Sequence, residues 1–157
     1  MKKKLKWFLD NFEEVTGACL LFSMALLAFI NVITRYFIKY SFAPTEELEV
    51  SSMVYLTMLG ASAAFKKGLH LKLMFLETRV NNRIKKLLNI LSLIVSFLLF
   101  STIAFLSYFH LRDEIELQIT TEALNIPEWI YVVAIPAGSI LINIRIVQQL
   151  IKLFKRK

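Results

Sequence analysis

Long apolar stretches alternate with short polar connections along this chain, and no Asp, Glu, Lys or Arg falls within the stretches at 15–34, 50–65, 87–111 and 129–144. A helix rises about 1.5 Å per residue and needs ~20 apolar residues to cross the hydrocarbon core of a bilayer. The pattern therefore predicts an all-α membrane protein of four transmembrane helices, the second and fourth drawing on flanking turns to span. Two segments outside the spans keep a helical period. Leu5, Phe8, Leu9 and Phe12 form an apolar stripe with Lys6, Asp10 and Glu13 off it, which predicts an amphipathic helix in the headgroup region at the N-terminus, with Trp7 at the same depth. Leu69, Leu73, Leu76, Val80, Ile84 and Leu87 form a second stripe against Lys72, Arg79, Arg83, Lys85 and Lys86. That predicts a second amphipathic helix whose basic face meets anionic lipid, the alternative being a solvated loop that feeds the third span.

Local signals refine the span ends. Thr45 is placed to cap a helix whose first turn holds Glu46 and Glu47, and Asn125 with Glu128 forms a capping-box-like pair around Pro127. Trp129 and Tyr131 then fall where amphipathic rings concentrate at a membrane interface. Pro136 is expected to bend the fourth span. Gly60 with Ala64, and Ala134 with Gly138, give small faces that let helices approach closely. Sequence alone does not divide contacts within the chain from contacts to another.

The 157 residues are 57% hydrophobic with a mean hydropathy of +0.59, too apolar for a water-soluble domain. They form one membrane domain, 1–157, with no room for a soluble module. A net charge of +7 would by itself fit nucleic acid, but the positions of the bases exclude that partner. Sixteen of the nineteen Lys and Arg lie in the two termini and the 66–86 connection, against three in the other two connections. The positive-inside rule then places both termini in the cytoplasm, an N-in/C-in topology. The opposite side carries Glu46, Glu47, Glu49, Asp113, Glu114, Glu116, Glu122 and Glu128. The N-terminal lysines resemble the start of a signal peptide, but Asp10, Glu13 and Glu14 intervene and no small-residue cleavage site follows, so the first span is expected to be retained. The single cysteine, Cys19, sits within that span as a small apolar residue.

Candidate chemistry is sparse. A transporter acting alone needs ionisable groups or broken helices near the bilayer midplane, and the four stretches offer no acid or base there. Polar residues among them include Asn31 in the first, Asn89, Ser92 and Ser96 in the third, and Asn143 near the end of the fourth, with Arg145 just past it. Arg35 faces two readings: pairing with Glu46, Glu47 or Glu49 across a short turn, or reaching to lipid phosphates. His70 and His110 raise the possibility of a haem-binding anchor for a dehydrogenase, but they fall at opposite membrane faces. A small stand-alone multidrug exporter would need an embedded carboxylate, and Glu49 only reaches a span's edge. No nucleophile–base pair, Cys pair or phosphate loop is present, so no enzyme activity, metal or cofactor is expected.

Asn31-Val32-Ile33-Thr34-Arg35-Tyr36, Glu46-Glu47-Leu48, Gly60-Ala61, Lys67-Gly68-Leu69-His70, and Ile126-Pro127 through Tyr131, Pro136 and Gly138 follow one another across the four spans. In that order they resemble the small membrane subunit of TRAP transporters, the DctQ-like family, over nearly the whole chain. Phe42-Ala43-Pro44-Thr45 departs from the commoner pattern, which has an aromatic residue just before the acidic pair. The resemblance implies a subunit of a tripartite, sodium-driven importer of organic acids in the bacterial inner membrane. A periplasmic binding protein delivers substrate, a large polytopic subunit holds substrate and Na+, and the small subunit is a static scaffold that also helps dock the binding protein. Substrate identity, sialic acid, C4-dicarboxylate or another carboxylate, is not readable from it. Arg35, Tyr36, Glu47, Gly60, Gly68, His70, Pro127, Tyr131 and Pro136 occupy the family's recurring positions. They imply an Arg35–Glu47 pair joining the first two spans, and a turn ordered by Gly68 and His70. Thr120, Thr121 and Glu122 are candidates for contact with the binding protein, or else part of a solvated acidic loop.

Overall fold

A computed structural model describes residues 2–39, 43–68 and 81–155. Its elements are α1 (Lys2–Ile33), a π-helical turn (Thr34–Ile38), α2 (Ala43–Lys67), α3 (Asn82–Glu116), α4 (Trp129–Val132) and α5 (Ala134–Lys155). Four segments are long and apolar enough to cross a membrane: Asn11–Phe37, Pro44–Lys67, Ile84–Leu117 and Trp129–Lys155. Each outruns the charge-free stretch it contains, because a helix does not stop where the hydrocarbon does.

The N-terminal segment is helical from Lys2, but the backbone leaves helical geometry at Asn11 (φ −113°, ψ 16°). Most of the 69–87 stripe, and His70 with it, lies outside the described residues.

Both expected caps are displaced. Helix α2 starts at Ala43, so Thr45 lies within its first turn. Pro44 accounts for the early start, since its ring presets helical φ and its missing N–H is not needed there. Asn125 adopts a left-handed φ of 52° and closes a loop, a conformation that Asn tolerates. Glu128 stands at the N-cap of α4 with no side-chain cap. At Pro136 the helical ladder of the fourth span loses one hydrogen bond, while Val133 keeps helical angles (φ −58°, ψ −23°). The proline cannot donate to the carbonyl of Val132 and crowds it, and α4 ends at Val132. The ladder resumes with the Ala137 N–H donating to the Val133 carbonyl at 3.2 Å.

The helices lie side by side as a ribbon in which α1 packs on α2, α2 on α5, and α5 on α3. The two edge helices each turn one stripe inward. Along α1 and into the π-helical turn a shielded stripe runs through Glu13, Gly17, Leu20, Met24, Leu27, Asn31 and Thr34, at alternating spacings of four and three. On α3 the inward stripe runs through Leu93, Phe100, Ser107, Leu111 and Glu114. Such spacing is the seam of two helices crossing at a shallow angle. The remaining sides of α1 and α3 are exposed and apolar, with Phe22, Phe29, Leu98 and Phe105 among the most open.

The core belongs to α2, α3 and α5. Phe65, Leu93, Ile142 and Ile146 are buried together, and the rings of Phe65 and Phe100 meet edge to face with centroids 5.8 Å apart. Packing rather than water exclusion must hold such a contact in lipid. Small residues permit it: a Cβ on Gly138 would lie 2.5 Å from the Met58 Cβ. Gly60 is the opposite case, with no atom within 4 Å of where its Cβ would stand. The Ala134/Gly138 face thus serves an internal contact, whereas Gly60 looks outward.

Candidate functional site: polar clasps at the two ends of the spans

At the end that carries both termini, three helices converge on Glu13. The Asn11 break precedes this residue by two positions, and the seam of α1 turns it against α2 and α5. Its side chain is 1% exposed. Glu13 Oε1 accepts hydrogen bonds from Arg145 Nε of α5 at 2.7 Å and from Ser62 Oγ of α2 at 2.8 Å. Lys66 Nζ stands 3.9 Å from Glu13 Oε2 and 4.0 Å from Glu14 Oε1, and Lys67 pairs with Glu14 at 3.1 Å. Around this cluster Arg145 Nη1 donates to Gln148, and Gln149 donates to the Lys66 carbonyl at the end of α2. Gly68 follows with φ 65°, its N–H returning to the Phe65 carbonyl. That is the left-handed helix ending that glycine accommodates without strain.

The apolar stripe at 5–12 places Glu13 on the polar, headgroup-facing side; the structure corrects this. Beyond the break the buried face is set by the seam with α2, and a charge turned inward there needs a partner. The available signal was the scarcity of acids on a strongly basic side, which makes Glu13 and Glu14 candidates for internal pairing. Their partners, far along the chain, left no local trace.

At the opposite end the 117–128 connection folds into a compact loop. Thr120 and Pro127 form an isolated antiparallel bridge. The Thr121 N–H donates to the Ile126 carbonyl at 2.9 Å, and the Glu128 N–H to the Ile119 carbonyl at 3.0 Å. Thr121 is buried, and its hydroxyl accepts from the Ile126 N–H. Its side chain therefore holds the loop together, while Thr120 and Glu122 are exposed. Glu47 of α2 fastens this loop: Oε2 accepts the Ala123 N–H at 3.0 Å, and Oε1 lies 3.5 Å from the Tyr131 hydroxyl of α4. The Tyr55 hydroxyl adds a bond to the Ile130 carbonyl. A groove of about 450 Å³ opens beside the clasp, lined in part by Glu46, Val50, Glu128 and Ile135.

The implied Arg35–Glu47 pair does not form. Glu47 is committed to the loop and α4, and Arg35 is exposed on the π-helical turn beside the exposed Tyr36. Pro127 lies in the bridge and Pro136 is buried at the break in the fourth span. His110 is exposed near the end of α3, 3.7 Å from Glu114. Within the spans, Asn143 donates to Ser101 Oγ at 3.3 Å, joining α5 to α3. Bonds of this kind fix helices to one another.

A curated relative from Haemophilus influenzae, named "Putative TRAP transporter small permease protein", is 29% identical over 80 residues. The match covers 51% of this chain and 50% of that protein, so it spans about half of the relative's length. The family pattern for the DctQ component of tripartite ATP-independent periplasmic transporters matches residues 24–156. It takes in Ser62, Lys66 and Arg145 but begins after Glu13. With most of the sequence matched and all four spans in place, the chain belongs to the DctQ family, the small membrane component of TRAP transporters.

Proposed function

We propose that this chain is the static membrane scaffold of a tripartite importer, binding a large polytopic subunit that carries the substrate and Na+ sites. The observation that carries the reading is the distribution of polar groups. Both ends of the ribbon are tied by hydrogen-bonded clasps, the four spans carry no acid or base in their middle stretches, and wide apolar flanks remain open. Buried ionisable groups mark ion and proton pathways in membranes; the ionised groups of this chain instead gather at the ends of its helices. Gly60, with open space before it, lies on a side of α2 available to a partner helix.

In this reading the protein sits in the bacterial inner membrane with both termini in the cytoplasm, the side that charge asymmetry assigns. The segment before Asn11 lies on the cytoplasmic leaflet as an amphipathic helix, and basic residues of the 66–86 connection meet anionic lipid there. The Glu47-clasped loop then faces the periplasm and presents Thr120 and Glu122 to a substrate-binding protein. Organic acids, sialic acid or C4-dicarboxylates among them, are the substrate class of the importer and are selected outside this chain.

The test is sodium-dependent uptake of sialic acid and of a C4-dicarboxylate into proteoliposomes. This chain alone is expected to give none. With the large subunit and binding protein added, uptake of one of them is expected, and omission of this chain should reduce it at least tenfold. Flux through this chain alone would refute the scaffold assignment.

A further inference from the structure

The exposed π-helical turn at the end of the first span has no role in either clasp. It gathers two cations and two aromatic rings within five positions: Arg35, Tyr36, Phe37 and, one residue past the turn, Lys39. Tyr36 is 79% and Phe37 84% exposed. Arg35 and Lys39 are exposed as well, and neither makes a hydrogen bond or ion pair among the described residues. Three of the acids at this end of the molecule are engaged elsewhere, and none of the described acids lies within ion-pair distance of Arg35 or Lys39. Glu47 holds the loop, Glu116 pairs with Arg112, and Glu114 lies beside His110.

Depth identifies the ligand class. The apolar segment ends at Phe37, so Arg35 and Lys39 lie where the hydrocarbon gives way to headgroups. The abundant anion at that depth is the phosphodiester of a phospholipid. A guanidinium binds phosphate through paired donors, and aromatic rings settle at the same level with their faces against acyl chains and glycerol. The wider π turn displaces successive side chains from the α-helical phase, and such turns recur at functional positions. A left-handed Lys39, φ 55°, then ends the helix.

We propose that Arg35 and Lys39, with Tyr36 and Phe37 against the glycerol and upper acyl chains, form a binding site for the phosphate of an anionic phospholipid in the leaflet at this end of α1. The proposal is independent of the scaffold assignment, since it needs only the chain and a bilayer.

Native mass spectrometry of the full-length chain, released from detergent with added dioleoyl-phosphatidylglycerol, tests it. A retained lipid adduct is expected with phosphatidylglycerol, a weaker one with phosphatidylcholine, and none with diacylglycerol or inorganic phosphate alone. Each cation near a charged lipid surface is worth roughly a fivefold change in affinity. Arg35→Gln with Lys39→Gln should therefore reduce the highest-affinity adduct well over tenfold, while Lys152→Gln with Lys155→Gln, at the far end of α5, leaves it. Circular dichroism and the melting temperature of both variants should equal those of wild type. An unchanged adduct in the Arg35/Lys39 variant would overturn the proposal. So would equal retention of diacylglycerol, or binding of phosphate alone. Loss of large-subunit co-purification from that variant, with lipid adducts intact, would reassign the turn to a protein contact.

Discussion

At the scale of single residues, two glycines of this chain make opposite claims. A methyl group on Gly138 would meet the Met58 Cβ, an atom close to the backbone that cannot swing aside. Gly138→Ala must therefore spread α2 and α5, at a cost of about 1–3 kcal/mol. A lower melting temperature in detergent, seen by circular dichroism, checks this. Gly60→Ala meets nothing and should leave the melting temperature within a degree or two of wild type. Glu13 makes a different kind of claim. Its replacement by Ala takes the carboxylate from Arg145 Nε and removes the bond to Ser62; loss of one partner of a fully buried pair costs about 3–5 kcal/mol, and the partial exposure of Arg145 places this loss at or below the low end of that range. The double substitution Glu13→Met with Arg145→Met removes both charges. It should be less destabilised than Glu13→Ala alone, as a double-mutant comparison of unfolding midpoints would show. A double variant worse than the sum of the singles would deny that the two charges compensate each other.

Between elements, Glu47 decides how firmly the 117–128 loop is attached. It is the side chain of α2 that reaches both the Ala123 N–H and the Tyr131 hydroxyl. A hydrogen bond to a charged acceptor contributes about 1.5–3 kcal/mol. Glu47→Ala should raise amide exchange across 119–128 by one to two orders of magnitude, with exchange in α3 and α5 unchanged. Equal protection of the loop in the variant would show that its own Thr121 bonds suffice. The fourth span shows how far a local reason reaches. A proline's missing donor acts four residues upstream, so the lost hydrogen bond to the Val132 carbonyl follows from Pro136 alone, while Val133 keeps helical angles (φ −58°, ψ −23°). The capping residues were harder. Thr45 and Asn125 have the right side chains for caps, but Pro44 starts α2 earlier and Asn125 is used for its left-handed backbone.

For the molecule as a whole, the spans were legible because bilayer crossing imposes a rule on every residue in a stretch. The clasps were not, because each rests on two or three residues brought together from distant segments. Glu13 and Arg145 are separated by 132 positions, and no periodicity connects them. Sequence proximity favoured Arg35 as the partner of Glu47, yet the helical phase of α2 turns Glu47 toward α4 and the loop. The family pattern was visible in the order of short motifs along the chain, since those motifs mark span ends and close contacts that four packed helices need. What results is a ribbon whose edge helices each spend one stripe on their neighbour and leave their other sides apolar and open. The central claim is that this chain holds a transporting partner, and affinity purification of the tagged chain from native membranes in mild detergent tests it most directly. The account predicts that a large polytopic membrane protein accompanies it in equimolar amount through size exclusion. Recovery of the chain alone, stable and monodisperse, from membranes that contain the large subunit would contradict it.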